Sequence, residues 1–486
     1  MTVLIVGGGP TGMAAALVLT VNGVDCRILE RRTRASNSSR ALGLQAKTME
    51  HLAGLGLADD VQRVSYELGG ASIMKGDREV VHLPWIPPDS RYPYTYVVPQ
   101  TGLEEILRGE LARLGVPIET GAEVDRVEQD DDRVTVTLTG GGSRTGEWLI
   151  GADGARSRVR TELGIDFVGD ATGETYFLAD AILQGVPTER DSAMWLGPEG
   201  PLMLMSLPGR EDLWRIFVDR TDRSRHGELG EPDIATLQQI LADRGHPGIR
   251  LTELGWTSIF RTRIQLAERY RAGRTFLAGD AAHVFPPFGG QGMNLGIQDA
   301  ANLAWRLARV IWHGSPTSLL DAYERERRPV AAATITDVEG RRKVYALRHP
   351  LARGARDLLF RAFGSNRRAA AAGSRQNAQL ATSYRERSWR DRFAGDTLRV
   401  GDRAPDGPLA DGRLLDHVGL DHHLLLLFGD DLAPQHPDLV VVRADRTGEL
   451  ATRYGMTEGG YVVVRPDGHI AELGQGRPSA AALALR

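Results

Sequence analysis

Val3-Leu4-Ile5-Val6-Gly7-Gly8-Gly9-Pro10-Thr11-Gly12 stands at the start of the chain, ahead of an alanine- and leucine-rich stretch from Met13 to Val21. The apolar run reads as a buried parallel strand and Met13–Val21 as a helix that Gly23 stops. Gly7, Gly9 and Gly12 then have the spacing of a turn that receives a dinucleotide. The first glycine allows the tight turn, the second lets a pyrophosphate approach the backbone, and the third lets helix and strand pack closely. The helix start, with Pro10 and Thr11, offers unpaired N–H groups and a partial positive charge to the phosphates. Arg27–Glu30 reads as the next strand, and Glu30, followed by Arg31, lies eighteen residues beyond Gly12. A carboxylate there accepts from ribose hydroxyls and repels a 2′-phosphate, which argues against NADP in this site. With strand, helix and acid in register, the stretch reads as a dinucleotide site rather than a structural turn.

A length of 486 residues exceeds one ordinary hydrophobic core and implies two or three units. The hydrophobic fraction of 42% and charged fraction of 25% are those of a globular chain. A net charge of −4 gives no reason to expect nucleic acid. Cys26 is the single cysteine, which excludes an intrachain disulfide, a zinc site of several thiolates and the disulfide-reductase flavoenzymes. It reads as a small core residue. No metal site is assigned. The absence of a basic start and of any long apolar run implies no secretory signal, no membrane and a cytoplasmic location.

Further along, Lys47–Leu55 and Gly102–Leu114 read as helices, Ala122–Leu138 as a β-meander, and Trp148–Ile150 as a strand ending in Gly151-Ala152-Asp153-Gly154. From about 172 to 265 strand-like runs dominate, including Leu202–Leu207 and Trp214–Asp219, with one helix over Ile234–Arg244. Pro329–Trp389 is rich in alanine and arginine and reads as a helical connector with a solvated face. Strands return at Leu424–Phe428, Leu439–Val442 and Tyr461–Arg465, the last leading through Pro466-Asp467-Gly468 into a hairpin.

A second chemical segment begins at Thr275. The apolar strand to Gly279 ends in Asp280, and the chain continues through His283 and Pro286-Pro287-Phe288 to Gly289-Gly290-Gln291-Gly292-Met293-Asn294 and a helix over Leu295–Trp312. Asp280 can accept from sugar or ribityl hydroxyls. Gly290 and Gly292 allow close backbone approach, and the helix start near Met293 aims donors at an anionic group. Reduced isoalloxazine carries negative charge, so a flavin gains from such a helix start whereas NAD does not.

These motifs, with Gly151-Ala152-Asp153-Gly154-Ala155-Arg156-Ser157, resemble those of the group A flavoprotein monooxygenases, which share the para-hydroxybenzoate hydroxylase fold. The chain is most similar to the branch of phenol, 3-(3-hydroxyphenyl)propionate and aromatic polyketide hydroxylases and rifampicin monooxygenase. The resemblance spans residues 1 to about 330. It implies an α/β fold: an FAD-binding Rossmann-like domain with an inserted β-sheet substrate domain and a C-terminal thioredoxin-like domain. The FAD-binding domain would comprise 1–75, 100–171 and 270–330, and the substrate domain 76–99 and 172–269. A helical connector over 331–395 and a cysteine-free thioredoxin-like domain over 396–486 would follow, the latter with an accessory structural or assembly role.

The resemblance further implies one FAD. Glu30 would bind the adenosine ribose, Arg40 and Gln100 the pyrophosphate region, and Val124 would lie near the adenine. Asp280 would lie near the ribityl and pyrophosphate groups, and Gly290–Asn294 against the isoalloxazine. Asp153 and Gly154 match a motif associated with both FAD and NAD(P)H. NADPH or NADH would reduce the flavin, dioxygen would give a 4a-hydroperoxide, and one oxygen atom would pass to a phenolic or polycyclic aromatic substrate. Pro286–Gly292 is the candidate closing loop, and Trp195, Met203, Met205 and Phe288 are candidate substrate-lining residues. No catalytic base is assigned, and a homodimer is compatible with the sequence. Two other classes stand beside this reading: a non-catalytic nucleotide-fold carrier or escort protein, and a flavin-dependent halogenase, whose Trp-x-Trp-x-Ile-Pro motif the chain lacks.

Overall fold

The apolar run at the start of the chain forms a strand, Thr2–Val6, near the middle of a six-stranded sheet. Across the sheet the order is Arg271–Ala272, Thr275–Leu277, Trp148–Gly151, Thr2–Val6, Asp25–Glu30 and Ile118–Thr120. All neighbours are parallel except Arg271–Ala272. Helices cover the middle of the sheet, so its central strands are apolar without alternation, and Val3–Val6 and Leu149–Ile150 are buried, whereas Asp25–Glu30 alternates at its start. The register sets Val6 opposite Gly151 and Gly151 opposite Leu277. Three turns remote in sequence therefore leave the sheet side by side at its carboxyl edge, where open α/β sheets take ligands.

The computed structural model describes residues 2–35, 41–188, 192–221, 230–385, 397–429, 438–476 and 478. Among them the helices begin somewhat earlier than the apolar periodicity indicates: Pro10–Val21, Ala46–Gly54, Gln100–Arg113 and Gly292–Trp312. Proline at the first position explains the earliest case, since its fixed φ suits a first turn and its missing N–H is not needed there. The expected Ile234–Arg244 helix is α-helical to Ile240 and continues as a π turn, Leu241–Gly245.

An eight-stranded sheet is built on two long antiparallel strands, Phe167–Gln184 and Arg250–Ala267. One face packs on helix Ile234–Ile240 through Leu202, Leu204, Trp214 and Ile216. The opposite face carries Tyr176, Phe217 and Phe260 toward Phe288. Helices Asp321–Tyr345, Pro350–Ser365 and Arg367–Asn377 follow. No helix among the described residues is long and apolar enough to cross a membrane.

A four-stranded sheet closes the chain, ordered Leu439–Ala444, His423–Phe428, Gly460–Val464 and Ile470–Gly474. The hairpin turn at Pro466-Asp467-Gly468 is there, and it docks on helix Ala46–Gly54. Lys47 Nζ donates to the Asp467 carbonyl at 2.8 Å. Glu50 and Arg403 pair beside it, each side chain 6% exposed. Burial alone would raise the Glu50 pKa, but Arg403 and Lys47 prevail and hold it at about 2, against an ordinary 4.5.

Because that folded-state value lies below the unfolded one, the pair's stabilisation is complete above about pH 4.5 and is lost as the pH falls toward 2. Thermal unfolding from pH 7 down should show this loss in the wild type. Glu50→Gln should be destabilised by about 3–5 kcal/mol at neutral pH and should lose less across the acid window. Equal acid sensitivity of the two proteins would show that Glu50 is not the group responsible.

Candidate active site

At the first turn the three glycines differ in what surrounds them. Gly7 has φ +111°, and a Cβ there would lie 2.2 Å from the Ala152 carbonyl oxygen. A Cβ on Gly12 would lie 2.0 Å from the Gly7 carbonyl oxygen, whereas one on Gly9 would meet nothing within 4 Å. Gly7 and Gly12 thus serve packing, and Gly9 opens onto the space a pyrophosphate requires. Helix Pro10–Val21 has no side-chain cap, so its first-turn N–H groups face that space. Glu30 is held by the Gly8 amide at 2.7 Å and the Arg32 amide at 2.9 Å. Each carboxylate oxygen keeps a lone pair for a ribose hydroxyl.

Arg31 is exposed beside Glu30. The Ala122 amide donates to the Glu30 carbonyl at 3.0 Å, which brings buried Val124 to this end of the sheet. Gln100 heads its helix and donates to Glu104 at 2.8 Å. Arg40 lies outside the described residues.

At the second turn Asp153 accepts from Ser157 Oγ at 2.5 Å, the Arg158 amide at 2.7 Å and the Val159 amide at 3.1 Å. Its carboxylate orders the turn, with Gly154 at φ +83° beside it. Arg160 donates from there to the Ala281 carbonyl at 2.9 Å and ties the second turn to the third.

At the third turn Gly279 has φ +61°, and a Cβ would lie 2.5 Å from Thr11 Oγ1. A Cβ on Gly296 would lie 2.3 Å from the same oxygen. Thr11 therefore fills the space that side chains at both positions would occupy, and it clamps the two ends of the site together. Asp280 is exposed in the short Gly279–Ala281 turn. Beneath it, Asp299 accepts from the Gly279 amide at 3.1 Å, His283 Nε2 at 2.6 Å and Arg327 Nε at 2.7 Å. All three side chains are 0% exposed. Burial would raise the Asp299 pKa, yet Arg327 and His283 hold it below the ordinary carboxylate value. His283 joins this scaffold through Nε2.

Asn294 knits the following loop. Its amide nitrogen donates to the Gly43 and Gly290 carbonyls, both at 2.7 Å, and its oxygen accepts from the Gln45 amide at 2.8 Å. Gly290 has φ +63° and only Gly43 backbone near it, at 3.8 Å. Gly292 and Met293 open the long helix, which also has no side-chain cap. Two uncapped helix starts, an exposed carboxylate and a glycine-lined gap fit the phosphates, sugar hydroxyls and flat ring of a flavin dinucleotide.

Pro287 is exposed at the loop, and Phe288 turns inward. Its ring centroid lies 5.8 Å from Tyr176 and 5.5 Å from Phe217. Met203 packs in this aromatic group, and Met205 in the adjoining cluster with Leu207. Trp195 does not join them. It lies with Leu202 on the opposite face, its indole N–H donating to the Gly76 carbonyl at 2.9 Å. Trp195 pairs with Leu202 across the strands, and period-two alternation turns Met203 the other way. The expected grouping of Trp195 with the two methionines is thereby corrected.

Sequence reasoning missed Thr11's clamping role, Asp299, Arg160, Arg327 and a polar group on the aromatic face. In that group Tyr176 Oη donates to Glu174 Oε2 at 2.9 Å, Thr262 Oγ1 donates to the same oxygen at 3.4 Å, and Arg342 pairs with Oε1. For Asp299 the available signal was a charge within the largely apolar helix Gly292–Trp312; Arg327 and Arg342 stand in a helix rich in charge and carry no such signal.

The model of the FAD-binding domain family matches residues 1–338. A flavin-dependent monooxygenase of Mycobacteroides abscessus is 34% identical, over 97% of this chain and 96% of its own length. A 12-dehydrotetracycline 5-monooxygenase/anhydrotetracycline 6-monooxygenase of Streptomyces rimosus is also 34% identical, over 96% and 94%. Among solved structures, an anhydrotetracycline hydroxylase from Streptomyces rimosus superposes with a TM-score of 0.79 at 30% identity, covering 98% of this chain and 96% of that one. A Diels–Alderase of pyrroindomycin biosynthesis superposes with a TM-score of 0.78 at 29% identity, covering 99% and 98%.

The glycine geometry separates packing from binding. Gly12→Ala should destabilise the ligand-free protein by about 1–3 kcal/mol in denaturant unfolding, because its methyl meets backbone. Gly9→Ala should change that stability by less than about 0.5 kcal/mol and should weaken dinucleotide binding in titrations. Comparable destabilisation by both would refute the assignment.

Proposed function

The chain belongs to the FAD-binding domain family, and from that premise we propose how its residues serve an FAD-dependent, NAD(P)H-consuming aromatic monooxygenase. Bound FAD supplies electron transfer from NAD(P)H and activation of dioxygen, so that one oxygen atom enters the aromatic substrate and the other leaves as water. The observation that carries the site reading is the fit of Thr11 against Gly279 and Gly296, which brings the first glycine turn against the Asp280 segment and the long helix.

In this reading the helix start at Pro10 and the backbone around Gly9 hold the pyrophosphate, with Glu30 on the adenosine ribose, Arg31 beside it and Gln100 toward the pyrophosphate; Arg40, outside the described residues, is proposed as a second pyrophosphate contact. Val124 borders the adenine. Asp280 takes ribityl hydroxyls, and Pro287, Gly290, Gly292, Met293 and Asn294 shape the edge that receives the isoalloxazine. Asp153 and Gly154 order the turn between the two halves.

The eight-stranded sheet is the inserted substrate wall. Tyr176, Phe217, Phe260 and Phe288 offer ring faces to a phenolic or polycyclic, polyketide-like substrate, and Met203 and Met205 adapt to its outline. Excluding water from this face protects the oxygen-transfer chemistry. Burial pushes the Tyr176 phenol well above its ordinary pKa, so it stays protonated. Its one O–H is donated to Glu174, whose pairing with Arg342 fixes it, so the phenol oxygen is left to accept from a substrate hydroxyl. The closing sheet is read as a thioredoxin-like unit without cysteines, and the enzyme as cytoplasmic, with a homodimer compatible.

Purified protein should be yellow, bleach on NAD(P)H and recover in air. Colourless protein that takes up no added FAD would sink the proposal. Phenolic compounds should be screened for acceleration of NAD(P)H oxidation. With an accepted substrate, Tyr176→Phe should retain FAD but lower kcat/KM by roughly tenfold, with more hydrogen peroxide per NAD(P)H. Unchanged kcat/KM and coupling would remove Tyr176 from the substrate site.

A further inference from the structure

The long helix Gly292–Trp312 carries buried polar residues at every fourth position: Asn294, Gln298, Asn302 and Arg306. At this spacing they form one stripe along the helix. Its first member holds the Gly290 loop. Gln298 donates to Thr48 Oγ1 at 3.3 Å and bonds Gln379. Asn302 donates to Asp467 Oδ2 at 2.9 Å, and Arg306 to Glu326 at 2.8 Å.

Helix Ala46–Gly54 answers this stripe. Just before it, Gln45 meets Asn294, and Thr48 meets Gln298. Lys47 Nζ and His51 Nε2 lie 2.8 and 3.3 Å from the carbonyl of Asp467. One residue of the closing sheet's hairpin turn therefore touches both helices whose starts shape the loop at Gly290. Asp467 is 0% exposed, and its carboxylate is also bonded by Arg465 at 2.6 Å. Burial would raise its pKa, but Arg465 and His469 hold it well below the ordinary value.

We infer that Asp467 is a positioning residue, through which the C-terminal sheet fixes the spacing of two helix starts and so the loop that receives FAD. The inference rests on the FAD reading above. A two-point hold explains why the closing sheet docks here by a polar turn: the Gln45–Asn294 contact fixes the helices at the loop, and Asp467 fixes them farther along, at Asn302 on the long helix and at Lys47 and His51 on the other. Loss of the second point lets the helices pivot about the first, and the loop, which has no side chain at Gly289 and Gly290 and reaches positive φ at both, absorbs the movement.

The test uses the full chain. Asp467→Asn keeps the volume and removes the charge facing Arg465. Lys47→Met removes the amine from the Asp467 carbonyl and from Glu50, and leaves Asp467 with its other partners and Glu50 with Arg403. Val442→Ala, in the closing sheet's own core, is the control for general weakening of that unit. FAD affinity is measured by titrating apoprotein at a temperature where all variants are folded. Amide exchange of residues 45–49 and 289–294 is followed in the same apoprotein.

Asp467→Asn and Lys47→Met should each raise the Kd for FAD by roughly tenfold and speed exchange in both segments. Val442→Ala should stay within about twofold on both readouts. If Asp467→Asn does not fold, Lys47→Met decides alone. Wild-type FAD affinity and loop exchange in the positioning variants would overturn the inference, as would equal losses in Val442→Ala. Wild-type apoprotein that takes up no FAD would instead overturn the reading beneath it.

Discussion

The site depends on one steric fit. Thr11 Oγ1 stands where side chains at Gly279 and Gly296 would have to be. The fit is available because Thr2–Val6, Trp148–Gly151 and Thr275–Leu277 are adjacent parallel strands in matched register. Each strand ends at the same height, and each turn carries one part of the chemistry. A side chain at Gly279 would need an unfavourable backbone conformation and would displace Thr11, so the cost falls on the joint rather than on either half.

Around this joint the charged groups serve mainly as scaffold. Asp153, His283, Asp299 and Arg327 are ionisable groups, yet their hydrogen bonds go to backbone amides and carbonyls, to one another and to the side chains of Ser157 and Tyr384. Each is tolerated in the interior because a partner compensates its lost hydration. Backbone N–H groups, half-buried Glu30 and exposed Asp280 are what the proposed cofactor site has left to offer. That division suits a cofactor which brings its own reactivity, since the protein then has to hold, orient and exclude water.

Much of the cofactor site was legible because its signals are local. A strand, three spaced glycines, a helix and an acid fall within thirty residues, and the Asp280–Asn294 segment repeats the strand–turn–helix logic. The aromatic face was only half legible. Alternation correctly separates Met203 from Leu202, but the facing of Trp195 depends on its cross-strand register with Leu202, which a single strand does not encode. Glu174 and Tyr176 share one strand and one face at i, i+2 spacing, but Arg342 lies 168 residues from Glu174, and no spacing rule joins it to them. The role of Asp467 was hidden for a related reason: Pro466-Asp467-Gly468 carries a strong turn signal, and the turn explains the sequence without reference to the helices it touches.

Oxygen transfer is the central claim, and isotope labelling tests it most directly. The holoenzyme, NAD(P)H and an accepted phenolic substrate are incubated under ¹⁸O₂ in unlabelled water, and the product is analysed by mass. The account predicts one ¹⁸O atom in each product molecule and consumption of one NAD(P)H for each product formed. A product free of ¹⁸O, or formed equally well without NAD(P)H, would contradict it and would point to a non-oxidative reaction such as the one named for its Diels–Alderase structural neighbour.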